Sequence, residues 1–376
     1  MNQYVCAESA KLVFSGEDYF ETLLQIIDEA QEIIHIQTYI FESDETGRKV
    51  TNALVNAYKR GVSIFVLADA FGSKSLSKDF ILQLNSEGIN FRLFSPLFSS
   101  ESIYLGRRLH HKVVVVDKKI ALIGGINISD KYHGTANEPA WLDFSVLIKG
   151  ESCIFLHHLC SQIFEKKNFK IRSERENEKH LSVEKIKIRF RRNDWIRNKN
   201  EIHKSFRDAL KNADKSVVIV ASYFLPGFFF RKILEQTRKR GVGIKIILAG
   251  KSDLRVFKYA EQYLYRFLFS NGIKIYEWRN SVMHGKAILT DNEWTSIGSY
   301  NLNYLSHYRS IELNVDIMDE KFSTSFENHL MENVFNKSTE ITTRNFFQLN
   351  GTFSRIRNYI AYYYLKIAMK FLMPKK

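Results

Sequence analysis

His110-His111-Lys112-Val113-Val114-Val115-Val116-Asp117 is the stretch on which the reading of this chain turns. Gly124, Gly125 and Asn127 follow it. A second stretch, Met283-His284-Gly285-Lys286-Ala287-Ile288-Leu289-Thr290-Asp291, is followed by Gly298, Ser299 and Asn301. In both copies the His-to-Lys step is two residues, Lys to Asp is five, and Asp to the first Gly is seven.

The residue types suggest a phosphate site. His-x-Lys is a period-two step, so on a strand both side chains share a face. The four valines before Asp117 read as a buried strand. A neutral imidazole beside an ammonium suits an anionic substrate. The small-residue turn with Asn beyond each copy offers close backbone approach and amide donors. Two such units around one phosphodiester would let one His attack phosphorus while the other protonates the leaving alkoxide. The lysines would balance charge in the transition state. His111 alternates to the face opposite His110 and reads as structural. His133, His157, His158 and His307 have no repeated context and read as packing or surface residues.

The sequence around the motifs repeats as well. In the first half, Ser15-Gly16-Glu17-Asp18 predicts a capping box opening a helix. Strands are expected at 33–41, 62–69 and 89–94, with helices at 47–60 and 77–86. In the second half, strands are expected at 217–224, 243–248 and 273–278, with helices at 230–239 and 253–269. Tyr223 falls where Tyr39 does. The offset is 284 − 110 = 174 at the histidines and 272 − 88 = 184 at the turn glycines, so insertions are modest. Alternating helices and strands argue a layered α/β fold.

Composition sets the outer bounds. The 376 residues suffice for two domains with substantial cores. The net charge of +14 implies an anionic partner: nucleic acid, acidic membrane or phosphorylated substrate. Cys6, Cys153 and Cys160 have neither metal-site nor disulfide-framework spacing, which fits a reducing compartment. Residues 1–10 do not read as a signal peptide, and no apolar run reads as a membrane span. Lys166 to Asn200 is dense in charge and reads as the link between halves, with Ile186-Lys187-Ile188-Arg189-Phe190 as a first strand beyond it. From Ile341 to Lys376 there is no acidic residue. There Ile356, Tyr359, Ile360, Tyr363, Ile367 and Phe371 keep helical spacing, with Arg355, Tyr362, Lys366 and Lys370 on another face. That pattern predicts a basic amphipathic helix lying on an anionic membrane surface.

The paired motifs resemble the phospholipase D superfamily, and within it the bacterial cardiolipin synthases, over about residues 10–335. The resemblance implies two tandem α/β/α sandwich domains, related by a pseudo-twofold axis, with the active site at their interface. The expected domains are 1–180 and 181–340, followed by the tail 341–376. It implies a catalytic set of His110, Lys112, Asp117, His284, Lys286 and Asp291, in which the two aspartates give structural support. Asn127, Asn301 and Ser299 are expected to hold substrate. It implies that Asp143 and Glu312 orient the catalytic histidines, since a carboxylate on one ring nitrogen fixes the tautomer of the other. The reaction implied joins two phosphatidylglycerols into cardiolipin through a phosphatidyl-histidine, with no metal or other cofactor. The expected location is the cytoplasmic side of the bacterial inner membrane, attached peripherally, with no nucleic acid partner. A phospholipase D that hydrolyses head groups, a nuclease of the same superfamily and a non-catalytic membrane scaffold are the competing readings.

Overall fold

A computed structural model describes residues 3–95, 107–166, 185–349 and 351–371. The chain divides into two compact units. One comprises 1–191 with 297–299 and 313–317; the other comprises 192–296, 300–312 and 318–376.

The first unit begins with strands β1 (Val5–Ala7) and β2 (Ser9–Phe14), helix α1 (Glu17–Asp28), β3 (Ile33–Thr38), α2 (Glu45–Lys59) and β4 (Ser63–Asp69). It continues with α3 (Lys78–Ser86), β5 (Asn90–Phe94), β6 (Arg108–Leu109), β7 (Lys112–Val116) and β8 (Ile120–Gly124). α4 (Asp130–His133), β9 (Phe144–Lys149), α5 (Ile154–Phe164) and β10 (Ile186–Asp194) complete it. Its seven-stranded sheet has the order β2-β9-β8-β7-β3-β4-β5. β3, β4 and β5 run parallel, whereas β7 lies antiparallel to both β3 and β8. Every residue of β7 is buried, as strands covered on both faces require. α1 and α2 lay Phe20, Leu23, Ile27, Val50 and Leu54 against Ile34, Ile36, Val114 and Val116. β1 pairs antiparallel with β10, with Val5 opposite Ile188. Residues 167–184, most of the expected link, lie outside the described residues.

The second unit rebuilds the pattern. β11 (Lys199–Asn200), α6 (Glu201–Asn212), β12 (Ser216–Ala221), α7 (Phe228–Lys239) and β13 (Gly243–Ala249) lead to α8 (Arg255–Ser270), β14 (Lys274–Trp278) and β15 (Lys286–Thr290). β16 (Trp294–Gly298), α9 (Tyr304–Tyr308), β17 (Ser310–Met318) and α10 (Glu320–His329) follow. β18 (Thr339–Ile341), α11 (Thr343–Leu349) and α12 (Thr352–Phe371) end it. β12 pairs parallel with β13 and antiparallel with β15, as β3 does with β4 and β7. β18 adds an antiparallel edge to β14.

Two expectations need correction. The capping box at Ser15 does not form: Gly16 caps α1 without a side-chain bond. The Ser15 hydroxyl instead accepts from the Asp143 N–H at 3.0 Å, and Asp18 accepts from Phe14 N at 2.8 Å. A tertiary partner has outcompeted the local cap. In α12, Tyr363 is not on the outward face, because it packs on Tyr263 of α8 with Tyr359 and Tyr362. Asn358, Ala361 and Met369 are buried on that same side. The outward apolar stripe is Phe353, Ile356, Ile360, Tyr364 and Ile367, from 52% to 91% exposed. Among the described residues no helix is long and apolar enough to cross a membrane.

Candidate active site

Each motif aspartate closes its strand in the same way. Asp117 and Asp291 have φ of +49° and +56°, a left-handed conformation that Asp tolerates better than most residues. The Asp117 carboxylate accepts from the backbone N–H groups of Gln31, Glu32 and Ile33 at 2.8, 2.8 and 2.9 Å. Asp291 accepts from Asp214, Lys215 and Ser216 at 2.9, 2.8 and 2.8 Å. Each aspartate thereby ties the end of its strand to the start of the neighbouring one, β3 or β12. These two residues are fasteners of the motif strand.

At the other end of β7 Lys112 is 3% exposed. It donates to the His110 carbonyl oxygen and lies over the Tyr39 ring, 5.3 Å from its centre. Tyr39 meets the His110 imidazole edge to face at 4.9 Å. In the second unit Lys286, also 3% exposed, donates to the His284 carbonyl oxygen and stands 2.9 Å from His284 Nδ1. With an ammonium as donor, Nδ1 presents its lone pair. Each motif therefore sets a largely desolvated cation beside its histidine, at the backbone carbonyl of His110 and at the ring of His284, where an anionic oxygen gains most from it.

Asp69 was not singled out by the sequence, yet it anchors the approach to His110. It is buried at the end of β4 and accepts from Leu109 N at 2.9 Å, Phe71 N at 2.9 Å and Gly72 N at 3.1 Å. Arg108 lies 3.7 Å away. Burial pushes its carboxyl up, against the pull of those N–H groups and of Arg108. His111 is fully buried and hydrogen-bonds Gln37 Oε1 through Nε2 at 2.8 Å, in keeping with a structural role.

Asp143 is fully buried at the foot of β9. A Cβ on Gly125 would fall 2.2 Å from its Oδ1, so only glycine permits this approach. Its Oδ1 also accepts from Phe144 N at 2.8 Å. Burial first, and then the Asp143 charge, push the Tyr19 phenol above its ordinary range. Glu312, also fully buried, acts similarly on Tyr300, where burial again dominates.

Two expected substrate contacts are spent inside the fold. The Asn127 carbonyl accepts from Ile40 N at 2.9 Å and Thr38 Oγ1 at 3.2 Å, and its amide donates to Tyr132 Oη at 2.7 Å. The Ser299 hydroxyl accepts from Leu313 N at 3.1 Å and donates to Leu313 O at 3.4 Å. Both side chains are fully buried. The geometry gives each a positioning role in the turn, which differs from the direct contact expected. Asn301, 6% exposed, accepts from Ser222 Oγ at 2.9 Å. The structure thus brings His110 with Lys112 and His284 with Lys286 inside their own units, each beside its aspartate-closed strand. Among the described residues no cluster of metal-ligating side chains occurs.

A family model described as "cardiolipin synthase, PLD-like domain" matches residues 23–150 and 206–334. Cardiolipin synthase B of Shigella flexneri is 32% identical over 328 residues, covering 85% of this chain and 79% of that protein. Cardiolipin synthase B of Escherichia coli K12 gives the same values. Cardiolipin synthase 1 of Bacillus cereus is 29% identical over 359 residues, covering 90% of this chain and 68% of that protein. The crystal structure of phosphatidylserine synthase from Haemophilus influenzae has the same fold, with a TM-score of 0.76 at 13% identity over 98% of this chain and 96% of that one. With both repeats matched and the two motifs built alike on equivalent strands, the chain belongs to the phospholipase D-like family of the cardiolipin synthase type.

Proposed function

We propose that this chain is a phosphatidyltransferase that makes cardiolipin from two phosphatidylglycerols and releases glycerol. The observation that carries the reading is the duplicated His–Lys pair: buried Lys112 donates to the His110 carbonyl oxygen, and buried Lys286 stands against the His284 imidazole. His110 attacks the phosphodiester, forming a P–N bond, while His284 protonates the departing glycerol oxygen. His284 then takes the proton from a hydroxyl of the second phosphatidylglycerol, whose oxygen displaces His110 from phosphorus. Lys112 and Lys286 hold the phosphate oxygens, with the amide of Asn301. Asp143 and Glu312 orient the histidines of their own halves. Asn127 and Ser299 support the turns, and Asp117 and Asp291 the strands. No metal is needed in this scheme. The outward stripe of α12, with Arg355 beside it, rests on the anionic cytoplasmic face of the bacterial inner membrane.

Incubation with phosphatidylglycerol should yield cardiolipin and glycerol in equal amounts. His110→Ala and His284→Ala should each abolish turnover. Lipid labelled at phosphorus should become trapped on His284→Ala protein and not on His110→Ala protein. Label retained without His110 reverses the assignment, and no cardiolipin from the wild type ends the reading.

A further inference from the structure

The second unit holds a cavity of about 300 Å³ that the mechanism does not use. Leu225, Pro226 and Tyr304 line one side, and Tyr362, Leu365 and Met369 of α12 line the other. Arg231 and Lys366 bring two cations to it. Arg231 Nε is buried without a hydrogen-bond partner, and its guanidinium lies 5.8 Å from the centre of the Phe267 ring. Lys366 is exposed, 5.5 Å from the centre of the Tyr363 ring. Among the described residues neither forms an ion pair. Apolar walls with two uncompensated cations suit an anionic amphiphile. The volume is at the small end for ligand sites, so it takes part of one acyl chain rather than two. The cavity adjoins the second motif's turn: Leu225 N donates to Leu302 O at 2.9 Å, and Leu302 follows Asn301. Its α12 wall lies beyond residue 334, the last matched to the family model.

We propose that this groove holds the acceptor phosphatidylglycerol, an inference that rests on the transferase reading above. The donor's phosphate reacts and needs the motif lysines. The acceptor's phosphodiester passes through the reaction intact, so it needs cations outside the motifs, which Arg231 and Lys366 supply. One acyl chain lies between Leu225 and Leu365, and the terminal glycerol points toward His284. The hydroxyl oxygen then forms the new P–O bond, the P–N bond to His110 breaks, and the proton passes to His284.

The test follows product partition in mixed micelles of phosphatidylglycerol, with ethanol as an alternative small acceptor. In Arg231→Ala/Lys366→Ala the ratio of cardiolipin to phosphatidic acid and phosphatidylethanol should fall roughly a hundredfold, the loss of two charge-assisted contacts. Total phosphatidyl release should persist. Leu365→Trp should lower the same ratio by roughly fourfold for each methylene it excludes. A parallel fall in all products from a folded double variant, or an unchanged ratio, overturns the acceptor site. If the double variant does not fold, the exposed Lys366→Ala decides alone by the same ratio. A wild type that transfers phosphatidyl to ethanol and water but never to lipid also overturns it. Absence of transfer to any acceptor overturns the reading on which it rests.

Discussion

Replacing Asp117 by Ala removes three backbone hydrogen bonds at one stroke. A bond from an N–H to a carboxylate contributes about 1.5–3 kcal/mol when sheltered. The bonds from Gln31 and Glu32 are at an exposed rim, where water substitutes, so about 1 kcal/mol each is reasonable. The Ile33 bond is partly buried and contributes about 2 kcal/mol. Alanine at φ +49° adds about 1 kcal/mol of backbone strain. The total is about 5 kcal/mol, which at roughly 2–4 °C per kcal/mol for a unit of this size lowers its melting transition by about 10–20 °C. Asp117→Asn keeps a carbonyl acceptor and tolerates the left-handed backbone, so its cost is about 2 kcal/mol. Scanning calorimetry of both variants, with kcat measured well below the transition, separates the roles. Near-normal kcat per folded molecule is expected, and Asp291→Ala should behave alike. A melting point within a few degrees of wild type for Asp117→Ala contradicts the clamp. So does an Asn variant as damaged as the Ala variant, or kcat lost without loss of stability.

Gly125→Ala drives a methyl into the Asp143 carboxylate, costing about 1–3 kcal/mol and lowering activity, while Gly351→Ala, with open space around it, leaves both unchanged. Equal effects from the two substitutions contradict the close approach. Burial holds the Glu261 carboxyl up at about 7, against the attraction of Lys258. Folding therefore favours its neutral form, and that stabilisation is full below about 4.5 and fades as pH rises through about 7. Wild type should accordingly lose up to a few kcal/mol relative to Glu261→Gln across that window, as read by urea unfolding; a pH-independent difference contradicts it. Ile356→Glu/Ile360→Glu should reduce flotation with anionic liposomes severalfold without changing the melting point. Unchanged flotation contradicts the lipid-facing assignment of α12.

The repeat was legible because its signals are local. The equal spacing from His to Lys to Asp to Gly, the turn glycines and the apolar strands all survive in one dimension. β3 and β12 accordingly pair in parallel with the next main strands in sequence, β4 and β13. Direction was harder to read. Nothing in the run around Asn127 shows that its amide turns inward to Ile40 and Tyr132 rather than outward to a phosphate. Ser15 looked like a helix cap, because its partner Asp143 is far along the chain. Asp69 was missed since its counterpart at the end of β13 is Ala249, so the repeat gave it no second instance. In the tail the helix was legible, but which tyrosines face α8 depended on Tyr263, a residue outside the pattern.

α12 packs on α8 with one side and turns Phe353, Ile356 and Ile360 outward with the other. A protein resting on a bilayer by that stripe meets its lipids by lateral diffusion in two dimensions. Its rate then follows the mole fraction of phosphatidylglycerol in the surface more than its amount per volume of solution. Adding neutral lipid to a fixed quantity of phosphatidylglycerol should slow such an enzyme, although the quantity of phosphatidylglycerol in the tube is unchanged.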